Sequence, residues 1–322
     1  MMSFHLRIGS RPSALALAQA NLIKGRLEAA LPGLTANIVT VRTSGDKLTT
    51  ASLAQVGGKG LFIRELEQAL SAAQIDLAVH SMKDLPAVLP DRFRLAAVPA
   101  RANPHDALIT RAGGGWNQLA PGARLGTSST RRRLEALRLR PDLNVIPLRG
   151  NVDTRLARLA AGDFDAIILA IAGLSRLGKL DALDCVELDP REFVPSGGQG
   201  ALALEALAAG PLAGAHQIET AVASLTDARA LAEVTAERAF LATIGASCVS
   251  PVGVKATIND ATIELRALLF SVDGTRSLAD EITAPCRIED ARSGFAPAAA
   301  AIGATLGHRM IDRGARELIA SA

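Results

Sequence analysis

Lys83 and Asp84 are residues whose types and placement could do chemistry. They follow a short apolar run, Ile75 to Val79, that reads as a buried strand, and they precede Pro86, where regular structure stops. In open α/β sheets, ligands bind outside the carboxyl ends of strands. A Lys beside an Asp at such an end can hold an anion and handle a proton, although the same residues also suit an ordinary turn. Basic residues recur at similar places: Arg131 and Arg132, Arg149 and Arg155, and Arg176 fall just after apolar runs or at helix starts. Helix N-termini there add their dipole in favour of anions. The alternative for such charge runs is a solvated helix face. Lys occurs only at positions 24, 47, 59, 83, 179 and 255, so Arg dominates the cations. Arg forks grip carboxylate or phosphate through two bonds at once.

The elements that must position these residues follow in order along the chain. Leu6 to Gly9 reads as a strand, Ser13 as the cap of a helix reaching Leu31, and Ile38 to Val41 as a second strand. Residues 46–60 form a long small-residue loop ending Gly57-Gly58-Lys59-Gly60, without the spacing of a nucleotide-phosphate loop. A helix over 61–73 leads into the strand before Lys83, and Arg94 to Val98 adds another strand. Strand and helix alternate, so an α/β lobe with largely parallel strands is expected. A second lobe repeats this style, with strands at 108–110, 144–148 and 166–170, Arg124-Leu125-Gly126 leading to Thr127-Ser128-Ser129, helices over 130–140 and 152–161, and another helix opening at Gly173. Pro195 to Gly200 punctuates the crossing back, and 202–224 is Ala-rich and ambiguous. The last part changes to a helix over 227–243, a loop from Gly245 to Gly253 containing Cys248, three strands in hairpin order and a closing helix over about 296–313.

Composition excludes several classes. The 322 residues are 49% hydrophobic and 21% charged, which is core-forming material for two or three domains. No apolar run is long enough to span a membrane, and the N-terminus lacks a secretion pattern, so a cytoplasmic protein is expected. Three scattered cysteines and five scattered histidines predict neither disulfides nor a metal. Aromatics at 3%, with no Tyr, and a net charge of +3 are poor material for nucleic-acid binding.

Several segments together resemble one family. They are Arg-Pro-Ser-Ala-Leu-Ala at 11–16, Val-Gly-Gly-Lys-Gly-Leu-Phe at 56–62 and Ala-Val-His-Ser-Met-Lys-Asp at 78–84, then Gly-Thr-Ser-Ser at 126–129 before Arg131 and Arg132. Leu-Arg-Gly-Asn at 148–151, Asp-Ala-Ile-Ile-Leu-Ala at 165–170, Gly-Gln-Gly-Ala at 198–201, Thr-Ala-Glu-Arg at 235–238 and the Cys248 loop continue in order. The chain resembles the porphobilinogen deaminases, also called hydroxymethylbilane synthases. The resemblance implies a transferase that joins four porphobilinogen units head to tail, releasing ammonia, into the linear tetrapyrrole hydroxymethylbilane. It implies a dipyrromethane cofactor bound covalently through Cys248, and product passed to a downstream uroporphyrinogen synthase. The implied fold is α/β, with two periplasmic-binding-protein-like lobes around a cleft plus a small C-terminal α+β domain. Residues 1–100 and 199–222 would form lobe one, 103–195 lobe two, and 226–322 the cofactor-anchoring domain. A monomer is expected.

Roles follow from the same resemblance. Asp84 is the expected catalytic carboxylate, able to stabilise the cationic pyrrole left when ammonia departs. Lys83, Asp84, Ser128, Ser129, Arg131 and Arg132 would hold the cofactor. Arg11, Ser13, Arg149, Arg155 and Arg176 would bind substrate, whose acetate and propionate groups accumulate as the chain grows. Lys59 and Phe62 belong to a loop expected to be mobile. Two departures stand out: Gln55 where the family usually has Lys, and Ala246-Ser247 where it usually has Gly-Gly. A two-lobe anion receptor without catalysis would share the fold. The mechanism also implies that Cys248 and Asp84 face one cleft, within the reach of a two-ring cofactor, on the order of 14 Å.

Overall fold

A computed structural model describes residues 3–43, 63–210, 212–247, 249–259, 261–286 and 295–320. The chain divides into two compact units, residues 1–102 with 201–231, and 103–200 with 232–322. The loop expected over 46–60, with Lys59 and Phe62, and Cys248 itself lie outside the described residues.

The first unit is built on β1 (Phe4–Ser10), α1 (Ala14–Ala30), β2 (Leu34–Thr40), α2 (Arg64–Ser71), β3 (Leu77–Ser81) and β4 (Phe93–Ala97). The second begins with β5 (Asp106–Thr110), β6 (Arg124–Gly126), α3 (Thr130–Leu139), β7 (Asn144–Ile146), α4 (Val152–Ala160), β8 (Ala166–Ala170), α5 (Ile171–Arg176) and β9 (Cys185–Glu187). The chain then returns through β10 (Leu202–Leu207) and α6 (His216–Ala223) to α7 (Ala228–Ile244). The ambiguous stretch after residue 201 is therefore a strand followed by a helix. Its strand reads LALEAL, whose Leu and Ala suit either state, and only pairing on both edges decides it.

The two five-stranded sheets share one plan. Their orders are β2-β1-β3-β10-β4 and β7-β6-β8-β5-β9. In each, three strands run parallel and the fourth, β10 or β5, is antiparallel to both neighbours. That antiparallel strand is the first one after the chain changes unit, and the first sheet gains its fifth strand only when the chain returns. The expectation of largely parallel strands misses these two, because an apolar run carries no direction. The fold is α/β, with two five-stranded α/β lobes and a small C-terminal domain on a three-stranded sheet.

Alternating side chains give each sheet two buried faces. In the first, Leu77, Val79, Leu202 and Leu204 face α1 and α6, while Ala78 packs with Leu66, Ala69 and Leu70 of α2. Ser13 caps α1 by accepting Ala16 N–H at 3.3 Å, and the helix buries Gln19, Ala20, Ile23 and Leu27. In the second, Leu108, Leu125 and Ile168 face α3, and Ile109, Ile167 and Leu169 face the side of α4 and α5.

The C-terminal sheet is an antiparallel meander, β11 (Val252–Asn259), β12 (Thr262–Phe270) and β13 (Ser277–Pro285), followed by α8 (Phe295–Ile311) and α9 (Ala315–Ala320). The β12–β13 turn uses Gly274 at φ 77°, with Asp273 accepting Thr275 N–H. α8 approaches α7 closely at Gly303, where an added Cβ would lie 2.1 Å from Ala236 O.

Candidate active site

Lys83 and Asp84 occupy a single 3-10 turn, Met82–Asp84, at the carboxyl end of β3. Both are half-buried. β3 lies at the centre of its sheet, parallel to β1, with Ile8 opposite Leu77 and Gly9 opposite Ala78. Arg11 and Ser13 follow β1 directly, so Arg11, Ser13, Lys83 and Asp84 share one edge of the lobe. Ser13 accepts when it caps α1, so its own hydroxyl proton remains available to donate.

The parallel strands of the second lobe gather its candidates in the same way. β6 ends at Thr127 to Ser129, β7 at Leu148 to Gly150 and β8 at α5, which carries Arg176. Ser129 caps α3 and Ser128 Oγ donates to Leu148 O at 2.9 Å. Arg176 donates to Gly200 O at 2.6 Å.

Arg131 and Arg132 differ from the solvent-facing grips that a helix start suggests. They are 4% and 7% exposed, and both pair with Asp106, which is fully buried at the start of β5. Arg131 also binds Glu135 Oε2 at 2.6 Å and Val194 O at 2.8 Å, and Arg132 donates to Ile168 O. Gln199 Nε2 donates to Asp106 Oδ1 at 2.9 Å and to Pro104 O at 2.7 Å. Burial opposes the charge on Asp106, yet the two guanidiniums win and hold its carboxyl far below the usual range. Glu135 goes the other way. Burial pushes it up to about 8, because its ion-pair partner, Arg131, is shared with Asp106 and the Asp106 charge repels it.

Arg155 is the contrasting cation. It is half-buried, its Nε donates to Gly150 O at 2.8 Å, and burial together with the like charge of Arg132 pushes it down to about 10. The charge acting on it is therefore repulsive.

The segment 194–199 fastens the second lobe to the C-terminal sheet within one compact unit. Val254 N–H donates to Pro195 O at 2.8 Å. Glu237 on α7 is fully buried and takes Gly198 N–H at 2.6 Å on one oxygen and Ala256 N–H at 2.8 Å on the other. Upstream of β11, Ser247 and Ser250 bond each other around position 248.

Comparison with known proteins gives these residues a family. Residues 6–211 match the model "Porphobilinogen deaminase, dipyromethane cofactor binding domain", and 231–312 match "Porphobilinogen deaminase, C-terminal domain". The chain belongs to the porphobilinogen deaminase family. It is 42% identical to the porphobilinogen deaminase of Syntrophobacter fumaroxidans over 98% of this chain and 96% of that one. It is 42% identical to that of Roseiflexus castenholzii over 98% of both, and 43% identical to that of Chromobacterium violaceum over 98% of this chain and 96% of the relative. Among solved structures, the second substrate binding domain of a putative amino acid ABC transporter from Streptococcus pneumoniae aligns with 69% of this chain and 93% of its own, at 13% identity and a TM-score of 0.42.

Membership makes the chain a transferase of tetrapyrrole biosynthesis that uses a dipyrromethane cofactor and polymerises porphobilinogen. Among the described residues, Arg155 is a half-buried cation on which burial and the like charge of Arg132 both act. No helix among them is long and apolar enough to cross a membrane.

Residue reading alone missed Asp106, Glu135 and Glu237. For Asp106 the signal was a carboxylate heading an apolar strand, the opposite of what β-propensity favours. For Glu135 it was the four-residue spacing from Arg131. Glu237 lies inside the Thr-Ala-Glu-Arg segment at 235–238, where nothing local assigns a partner.

Proposed function

We propose that Asp84 is the catalytic carboxylate of this porphobilinogen deaminase and that Cys248 anchors its cofactor. The observation that carries the reading is the placement of Asp84 beside Lys83 in the turn ending the central parallel strand β3. A ligand outside the carboxyl ends of β1 and β3 meets Arg11, Lys83 and Asp84 together.

When bound, the dipyrromethane supplies the pyrrole carbon to which the first unit is joined, each later unit adding to the ring before it. Asp84 accepts pyrrole N–H hydrogen bonds and stabilises the cationic ring left as ammonia departs. Lys83 and Arg11 hold carboxylates near it, and Ser13 donates a hydrogen bond. In the second lobe, Arg149, Arg155 and Arg176 take acetate and propionate groups, and Ser128 and Ser129 support the cofactor. Arg131 and Arg132 act on the cofactor with N–H groups left over from Asp106, which fixes their direction. Lys59 and Phe62 serve the loop through which substrates pass. The protein works as a cytoplasmic monomer and hands its product to a uroporphyrinogen-forming synthase.

Intact mass tests the anchoring. The purified protein should exceed its sequence mass by a dipyrromethane, and Cys248→Ser should not. A Cys248→Ser protein still carrying that mass would refute the assignment.

A further inference from the structure

The turn carrying Lys83 and Asp84 is short, and its position depends on the strand it leaves. Leu85 N–H closes it on Met82 O at 3.1 Å. Met82 N–H donates to Ala201 O at 3.0 Å, immediately before β10. On the face covered by α1, Gln19 Nε2 donates to Ser81 Oγ at 3.0 Å. On the opposite face, under α2, His80 Nε2 stands 2.9 Å from Glu205 Oε2 of β10. The His80 side chain is 3% exposed and that of Glu205 is fully buried; the two atoms stand at ion-pair distance, and neither His80 Nε2 nor either Glu205 oxygen has a hydrogen-bond partner among the described residues. Their surroundings include the apolar cluster of Leu66, Ala69, Leu70, Ile75, Ala78 and Phe93. Glu67 of α2 lies close enough that the Glu205 charge, with burial, pushes its carboxyl up, while His80, Arg92 and Arg64 oppose.

Cohesion does not require this pair. β3 and β10 are already joined in register from Ser81 opposite Leu202 to Ala78 opposite Glu205. Two apolar side chains would fill the space at lower cost, because desolvating an ion pair costs several kcal/mol per ion, on the order of what the pair regains. What the polar pair adds is direction. An apolar contact tolerates sliding, whereas a His–Glu contact fixes one ring atom against one carboxylate.

We infer that His80 and Glu205 are positioning residues for the reaction: they lock the end of β3 to β10 and so set where the Lys83–Asp84 turn stands. The inference rests on the reading of Asp84 as the catalytic carboxylate. Glu205 thereby gives the strand that re-enters the lobe a part in aligning the turn. A misplacement of about 1 Å in a catalytic group can cost on the order of a hundredfold in rate.

The test uses the full-length protein with its cofactor. The double variant His80→Leu/Glu205→Leu removes both polar groups without stranding a charge. It should keep its covalent cofactor by mass and its thermal midpoint, yet lose about tenfold or more in kcat with little change in KM. Glu205→Gln keeps shape and one acceptor oxygen, and should stay within about threefold of the parent kcat. A double variant with parental kcat overturns the inference. So does one that fails to fold or loses cofactor in step with activity, because the pair would then serve the lobe as a whole. Equal loss in Glu205→Gln and the double variant would also overturn it, because alignment by a retained acceptor would have no effect. Asp84→Asn assayed alongside separates the two claims. Full activity in Asp84→Asn removes the reading of Asp84, whereas an inactive Asp84→Asn beside a normal double variant removes only the positioning role.

Discussion

Asp84 and Arg155 show how the same fold treats charge in opposite ways. Asp84 is half-buried beside Lys83, where a carboxylate can meet a cationic ring. Asp84→Asn preserves shape and removes that charge. It should retain the covalent cofactor and lose roughly 10²–10⁴ in turnover, which steady-state assays with intact-mass controls would read. Arg155 is held at a cost, since burial and Arg132 both disfavour its cation. Arg155→Met should therefore raise the thermal midpoint while weakening substrate binding, the trade-off expected where function keeps a destabilising group. Thermal unfolding and KM on the same sample check both halves, and a variant that loses stability would contradict this account of Arg155.

Among the elements, α3 and β11 carry the clearest consequences. The N-terminal turn of α3 holds Arg131 and Arg132 on Asp106, while Glu135 sits one turn later with its carboxyl raised to about 8. Between its ordinary value of 4.5 and about 8 the folded state binds more protons than the unfolded state, so the contribution of Glu135 to stability falls as pH rises through that window. Glu135→Gln removes this dependence and should flatten the stability profile between about pH 5 and pH 8, measured by denaturant unfolding at fixed salt. A slope identical to the parent would assign the loss to other groups. In β11, a Cβ at Gly253 would stand 2.5 Å from Val194 O and 2.8 Å from Val194 Cβ. Gly253→Ala should cost about 1–3 kcal/mol, because the obstacle is backbone that cannot step aside. Chemical denaturation reads that loss directly, and an unchanged midpoint would show that the 194–195 segment gives way.

At the scale of the whole molecule, the chain changes unit twice, and the first strand after each crossing is antiparallel to its neighbours. β5 enters the second sheet directly after the first unit ends, and β10 completes the first directly after the return. The first sheet thus has five strands only after the chain returns, whereas the second is built wholly from residues 106–187. We expect β3, the strand beside β10, to be among the last of the first sheet to exchange. Amide hydrogen exchange checks this. Early loss of protection in β10 with β3 still protected would show that the returning strand is dispensable.

Much of this was legible in the sequence because it depends on local periodicity and local chemistry. Apolar runs ending in polar turns pointed to Lys83–Asp84, the serine caps and the order of the elements, and the nine matching segments pointed to the family. The direction of β5 and β10 was not legible, since a buried strand reads the same both ways. The Ala-rich LALEAL stretch stayed open until two neighbours paired with it. The setting of Arg131 and Arg132 was decided by tertiary structure alone. Asp106 lies 25 residues before Arg131. Likewise, Glu205 is 125 residues beyond His80 in the chain. A buried charge is tolerated only with its partner, and no window of sequence contains both members of either pair. The sequence by itself determined which groups could do the chemistry, because that depends on residue type, whereas which of them are tied to a buried partner depended on contacts that form only when distant segments are packed together.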